Sequence, residues 1–310
     1  MADAIEVDHL VKRYGQLAAV AGVDFTVRTG TVFSFLGPNG AGKTTTTEIL
    51  EGLRKRTEGK VRVLGLDPWT EAAALHRRIG VIPQDFRFFE KITPREAVRY
   101  YASLFHTHPD PDDLLERVKL ADKAGSRFDT LSGGQKQKMG LALALTNDPE
   151  VCFLDEPTTG LDPTARRAIW EVIRGLKGEG RTVFLTTHYL EEAQLLADQV
   201  AIIHHGRIIA SGTPNEIISA HGRPERLRFQ AAPALAEYLR PKLGLPVAVA
   251  DGHVDVELHE PSDALRVLSA VAASGLPWQN FSTAQDTLED VFVRLVGQMD
   301  DGALKSEEAA

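Results

Sequence analysis

Apolar and polar residues alternate from position 5 to 36 in the manner of half-buried strands, with Val23, Phe25 and Val27 facing one way. A Thr29-Gly30 turn then leads into the apolar run 31–36. A helix-compatible stretch follows over 45–54, with Ile49, Leu50 and Leu53 on one side. An alternating strand over 60–64 and an apolar strand over 79–82 come next. From 84 to 130 the pattern changes, and 94–105 and 112–120 read as helices with Thr93 and Asp110 or Pro111 as their starts. Strand and helix then alternate: strand 151–154, helix 164–177, strand 182–186, helix 189–197 and strands 200–204 and 207–209. Such alternation predicts a mostly parallel sheet covered by helices, interrupted here by a helical insertion over about 84–150.

A Gly/Pro-marked boundary falls at 220–224. Beyond it the pattern gives strand 227–230, helix 233–242, strands 247–250 and 253–258, helix 262–274, strand 278–282 and helix 288–296. That order fits a small α+β domain of ferredoxin-like kind. The expected division is therefore a first domain over 1–220, an accessory domain over 221–299 and an acidic, disordered tail over 300–310.

Composition narrows the field rather than naming a function. With 310 residues and 43% hydrophobic content, the chain can bury one large core and one small one. A net charge of -8 argues against nucleic-acid binding, which is driven by clustered Lys and Arg. Cys152 is the lone cysteine and sits in an apolar run, so a reducing compartment and a buried, inert thiol are expected. The first six residues lack the basic and apolar regions of a signal peptide. No run approaches 18 apolar residues, so no membrane span of its own is expected, and any membrane role must come through a partner.

The chemistry begins after the strand at 31–36. Gly37-Pro38-Asn39-Gly40-Ala41-Gly42-Lys43-Thr44, followed by Thr45, reads G-x-x-x-x-G-K-[ST], a phosphate-binding loop. Its glycines let backbone N–H groups and the next helix N-terminus face phosphate oxygens. Lys43 supplies a charge toward the β and γ phosphates, and Thr44 a hydroxyl for Mg²⁺. Downstream, four apolar residues end in Asp155 and Glu156. Strand ends meet the ligand crevice in such sheets, which places Asp155 to hold Mg²⁺ and Glu156 to polarise an attacking water. Leu131-Ser132-Gly133-Gly134-Gln135 opens a helix; Ser132 and Gln135 fit a capping box, and the paired glycines also make a second anion site.

With these motifs in this order, residues 5–215 resemble the ATP-binding subunits of ABC transporters. The resemblance implies a P-loop ATPase fold with a mostly parallel core, an antiparallel β subdomain and a helical insertion. It implies that Ser132, Gly133, Gly134 and Gln135 of one subunit close over ATP held by the loop of another, in a homodimer or heterodimer. It also implies that Tyr14 stacks on adenine, that Gln84 reaches Mg²⁺ and water, that Asp162 contacts the opposite subunit, and that His188 contacts the γ-phosphate. Leu141 to Leu145 depart from the family, where many members carry a basic residue in this helix.

The same resemblance implies a separate permease, a place at the cytoplasmic face of the membrane, and no nucleic-acid partner. The end of the chain, Thr287-Leu288-Glu289-Asp290-Val291-Phe292-Val293, resembles daunorubicin-resistance-type exporters, implying efflux of drugs, antibiotics or lipid-like compounds. A soluble ABC ATPase outside transport and a nucleotide-switched regulatory protein are the rival readings. Two readings of the segment 85–90, with Phe86, Phe88 and Phe89, stay open: core packing of the insertion, or a lip that receives a segment of the permease. His106 and His108 lack further ligands and read as a solvated turn.

Overall fold

Alternation builds the first layer. The computed structural model describes residues 3–84 and 86–307. β1 (Asp3–Tyr14) and β2 (Leu17–Arg28) pair antiparallel and bury Ile5, Val7, Val23 and Val27. β3 (Val32–Leu36), buried at all five positions, leads into α1 (Lys43–Leu50), after which β4 (Glu58–Val63) joins the other edge of β1. Then come α2 (Ala72–Leu75), β5 (Ile79–Ile82), α3 (Pro94–Phe105), α4 (Pro111–Arg117) and α5 (Gly133–Ala144). The rest of the first unit is β6 (Val151–Asp155), α6 (Pro163–Gly178), β7 (Thr182–Thr187), α7 (Leu190–Leu196), β8 (Gln199–His204), β9 (Arg207–Gly212) and the start of α8 (Pro214–His221).

Strand order β5-β6-β7-β3-β8-β9 makes a six-stranded sheet, parallel except for the β8–β9 hairpin. β3 and β5 to β8 are buried at nearly every position because both faces are covered, while the edge strand β9 is partly exposed. Cys152 and Leu154 face a core shared with α3 to α6, while Val151 and Phe153 face a core shared with β1, β2, β4 and α1. On that second face Phe184 lies 5.6–6.2 Å, ring centroid to centroid, from Phe25, Phe33, Phe35 and Phe153. Burial of Cys152 pushes its thiol up to about 12, out of the reactive range.

The second unit starts at Asn215, at the head of α8 rather than after it. It contains β10 (Arg226–Ala231), α9 (Pro233–Leu243), β11 (Val247–Ala250), β12 (His253–Glu257), α10 (Pro261–Ala273), β13 (Trp278–Ala284) and α11 (Leu288–Glu307). Its sheet order, β11-β12-β10-β13, is antiparallel at every pair. This is the ferredoxin-like arrangement, a split βαβ repeated. Phe229, Leu239, Val254, Val256 and Val267 form its core.

Two differences from the sequence expectation are physical. α11 runs through Glu307, so helix covers most of the stretch expected to be disordered; Ala303, Leu304, Lys305 and Glu307 are all strong helix formers. Residues 308–310 lie outside the described residues. α2 is a single turn, too short to show periodicity.

Candidate active site

The loop after β3 is shaped by close backbone approach. A Cβ on Gly37 would stand 2.3 Å from the Ile203 carbonyl oxygen, and one on Gly42 would stand 2.4 Å from that of Ala19. Gly42 also has φ +109 and caps α1 with no side-chain bond of its own. Gly42→Ala is therefore expected to lower stability by upwards of about 1 kcal/mol, read from the midpoint of urea unfolding; an unchanged midpoint would show that the loop can relax.

Lys43 is drawn back into the loop. Its Nζ donates to the carbonyls of Gly37 at 2.8 Å and Pro38 at 3.3 Å, and it lies 3.9 Å from Glu156 Oε1. Burial lowers the ammonium's pKa, and the carboxylates of Glu156 and Asp155 oppose that. Asp155 closes β6 and accepts a hydrogen bond from Thr186 Oγ1. Burial pushes Asp155 above the usual carboxylate range, which Thr186 opposes and Glu156 reinforces.

Glu156 is where the chain brings distant residues together. It adopts a left-handed backbone, φ +48, and its N–H donates to Thr186 O at 3.1 Å and Oγ1 at 3.0 Å. Its Oε2 accepts from Gln84 Nε2 at 3.0 Å and Thr159 Oγ1 at 3.0 Å, and His188 Nδ1 lies 3.1 Å from the same atom. Asn39, Gly40, Gly42, Lys43, Thr44, Thr45, Gln84 and Glu156 line one open cavity of about 150 Å³. Thr186 and Thr159 carry no motif of their own, and sequence reasoning passed over both.

Other expected residues lie apart from this cluster. Tyr14 ends β1, is 41% exposed, and is flanked by Lys12 and Arg54 at 5.0 and 5.5 Å from its ring centroid. It does not line the loop cavity, and neither do residues 132–135. Ser132 and Gln135 form the expected capping box, with Ser132 N donating to Gln135 Oε1 at 2.9 Å. Asp162 caps α6, accepting from the N–H groups of Thr164 and Ala165 at 2.9 and 3.0 Å. Along α5, Met139 to Leu145 are buried, which explains the apolar departure noted above. A Cβ on Gly140 would meet the Phe86 ring at 3.2 Å. Phe86 and Phe88 thus pack on the helical core, while Phe89 is 64% exposed; Asp85 lies outside the described residues.

Residues 20–159 match the ABC transporter family. Over 96% of this chain and 97% of the relative, the sequence is 38% identical to a daunorubicin resistance ATP-binding protein of Streptomyces coeruleorubidus. The chain belongs to the ABC transporter family. It is 38% identical to a Nod factor export ATP-binding protein I of Paraburkholderia xenovorans, covering 95% of this chain and 97% of that protein. Among solved structures, an ATP-binding subunit of an ABC transporter superposes with TM-score 0.63 at 29% identity, over 71% of this chain and 93% of the other. A cassette in its ADP conformation gives 0.62 at 26% identity over 72% and 95%. A dimeric bacterial ABC transporter cassette gives 0.60 at 27% over 67% and 98%. This ABC protein is thus an ATP-binding and ATP-hydrolysing subunit, and no helix among its described residues is long and apolar enough to cross a membrane.

Proposed function

We propose that this subunit powers export of a drug-like, antibiotic or lipid-like compound, as two copies acting on a separate permease at the cytoplasmic face of the membrane. The observation that carries the reading is the meeting of Lys43, Gln84 and His188 at Glu156, beside a cavity that Lys43, Gln84 and Glu156 line and residues 132–135 of the same copy do not. Closing that site takes residues 132–135 of a second copy. The export sense is supported by relatives of both drug-resistance and Nod-factor type that match almost the whole chain, accessory unit included. In this reading the cassette spans 1–220, with its insertion at 84–150, and the accessory domain spans 221–299.

Each group then has one task. Backbone N–H groups of Gly40, Ala41, Gly42, Lys43, Thr44 and Thr45, with Pro38 and Asn39 shaping the approach, hold phosphates; Lys43 leaves the loop carbonyls for a phosphate oxygen. Tyr14 stacks on the adenine ring. The oxygen donors Thr44 Oγ1, Asp155 and Gln84 suit Mg²⁺, a hard cation that binds through one or two carboxylates plus phosphates, and the buried Asp155 carboxyl fits a cation neighbour. Mg²⁺, when bound, neutralises charge on the phosphates. Glu156 accepts the proton of the attacking water, His188 orients it and touches the γ-phosphate, and Gln84 ties Glu156 to the segment 86–89. Residues 132–135 of the second copy complete the phosphate shell, and Asp162 contacts that copy beside its capping role.

The test is to purify the chain with the permease it brings from membranes and to measure ATPase activity with candidate compounds. Stimulation by an amphipathic drug or lipid is expected. Stimulation by RNA or DNA instead, with no membrane protein retained, would transfer the chain to a soluble role.

A further inference from the structure

Glu192, on α7, is fully buried and does not line the nucleotide cavity. A carboxylate taken out of water is costly unless donors meet it. Here they come from other elements. Trp170 Nε1 of α6 donates to Glu192 Oε1 at 2.7 Å, and Thr158 Oγ1, in the loop after β6, donates to Oε2 at 3.2 Å. Burial pushes the carboxyl above the usual range, and bonds from Thr187 at the end of β7, from Trp170 and from Thr158 oppose that.

Two of these donors stand next to the partners of Glu156. Thr158 precedes Thr159, whose hydroxyl donates to Glu156 Oε2 at 3.0 Å. Thr187 precedes His188, whose Nδ1 lies 3.1 Å from the same oxygen. The His188 side chain is 41% exposed, so burial alone does not fix its ring. Its neighbours do that. Tyr189 N–H donates to Thr187 Oγ1 at 3.0 Å, the His188 and Tyr189 ring centroids are 4.2 Å apart, and the Arg166 guanidinium lies 4.3 Å over the Tyr189 ring. Having accepted from Tyr189, the Thr187 hydroxyl still has its own proton for Glu192.

We propose that Glu192 is a positioning residue for ATP hydrolysis: through Thr158 and Thr187 it sets where His188 stands relative to Glu156. The inference rests on the reading that Glu156 and His188 act on the attacking water. A carboxylate suits the task because it accepts from several donors at once, which an apolar side chain cannot do. Misplacing a reacting group by about 1 Å can cost about 100-fold in rate, so the effect falls on kcat and not on ATP binding.

The test measures ATP turnover, ATP affinity and thermal midpoint of the full chain, with Glu156→Gln and His188→Ala beside the new variants. Glu192→Leu is expected to lower kcat by about 10- to 100-fold while KM for ATP stays close to that of the wild type. Thr158→Val, which keeps the shape and drops the hydroxyl, lowers kcat by a smaller factor and adds nothing when combined with Glu192→Leu. Glu192→Gln recovers most of the rate, because its oxygen still accepts from Trp170 and its amide can donate to the threonine hydroxyls. Trp170→Phe releases α6 alone, so it is expected to lower the midpoint and leave kcat. A kcat that follows the midpoint across these variants overturns the positioning role, and so does Glu192→Gln no faster than Glu192→Leu. Wild-type kcat in folded Glu192→Leu does the same, or in Thr158→Val should the leucine variant not fold. If Glu156→Gln and His188→Ala also turn over at the wild-type rate, the reading of the water-activating pair falls too; if those two are slow, only the role of Glu192 falls.

Discussion

Glu156→Gln is expected to keep ATP affinity and to slow ATP turnover by about 10²–10⁴-fold, the usual worth of a general base. The amide is nearly isosteric, so the left-handed turn at Glu156 and its backbone bonds to Thr186 persist. What is lost is basicity at the atom on which Gln84, Thr159 and His188 converge. A chain that binds ATP without consuming it accumulates the closed two-copy state. Phosphate release and gel filtration in ATP read the two effects together. Turnover at the wild-type rate would remove Glu156 from the chemistry, whatever its geometry.

Lys43→Ala acts one step earlier, on binding. A charged hydrogen bond contributes about 1.5–3 kcal/mol, so ATP affinity is expected to fall by roughly 10- to 100-fold. The change also strips the Gly37 and Pro38 carbonyls of their donor and leaves Glu156 without its nearby cation. Titration with a fluorescent ATP analogue measures it, and unchanged affinity would mean that the loop amides hold the phosphates alone. Together the two variants separate holding from hydrolysis. The first loses rate with ATP in place; the second loses ATP.

The parts of this site that depend on chain-local geometry were legible in the sequence. The loop 37–44 follows a buried strand and opens a helix, and the capping boxes at Thr93 and Ser132 sit where the periodicity begins. Element types in both units follow from the alternation of apolar runs and helices, because burial on one face or two leaves different periods, whereas the strand order β5-β6-β7-β3-β8-β9 is set by packing that no periodicity records. What could not be read was pairing across distance. Gln84 and Glu156 are 72 residues apart, and Thr186 reaches Asp155 from another strand; nothing in their spacing signals that they meet. The aromatic segment divided between its two readings, with Phe86 and Phe88 packed and Phe89 exposed, because three adjacent rings cannot all face one core. Asp162 carries a second, local role that the family position did not suggest: it caps its own helix.

The position of α5 has a mechanical consequence. This helix of 12 residues is about 18 Å long. It begins at residues 132–135, carries Gly140 against Phe86, and ends with the Ala144 carbonyl close against Gly80 of β5. It is buried along most of its second half and has no proline to bend it. The two ends are therefore joined by one unbroken helix held in the core, so a displacement of one end would carry the other with it.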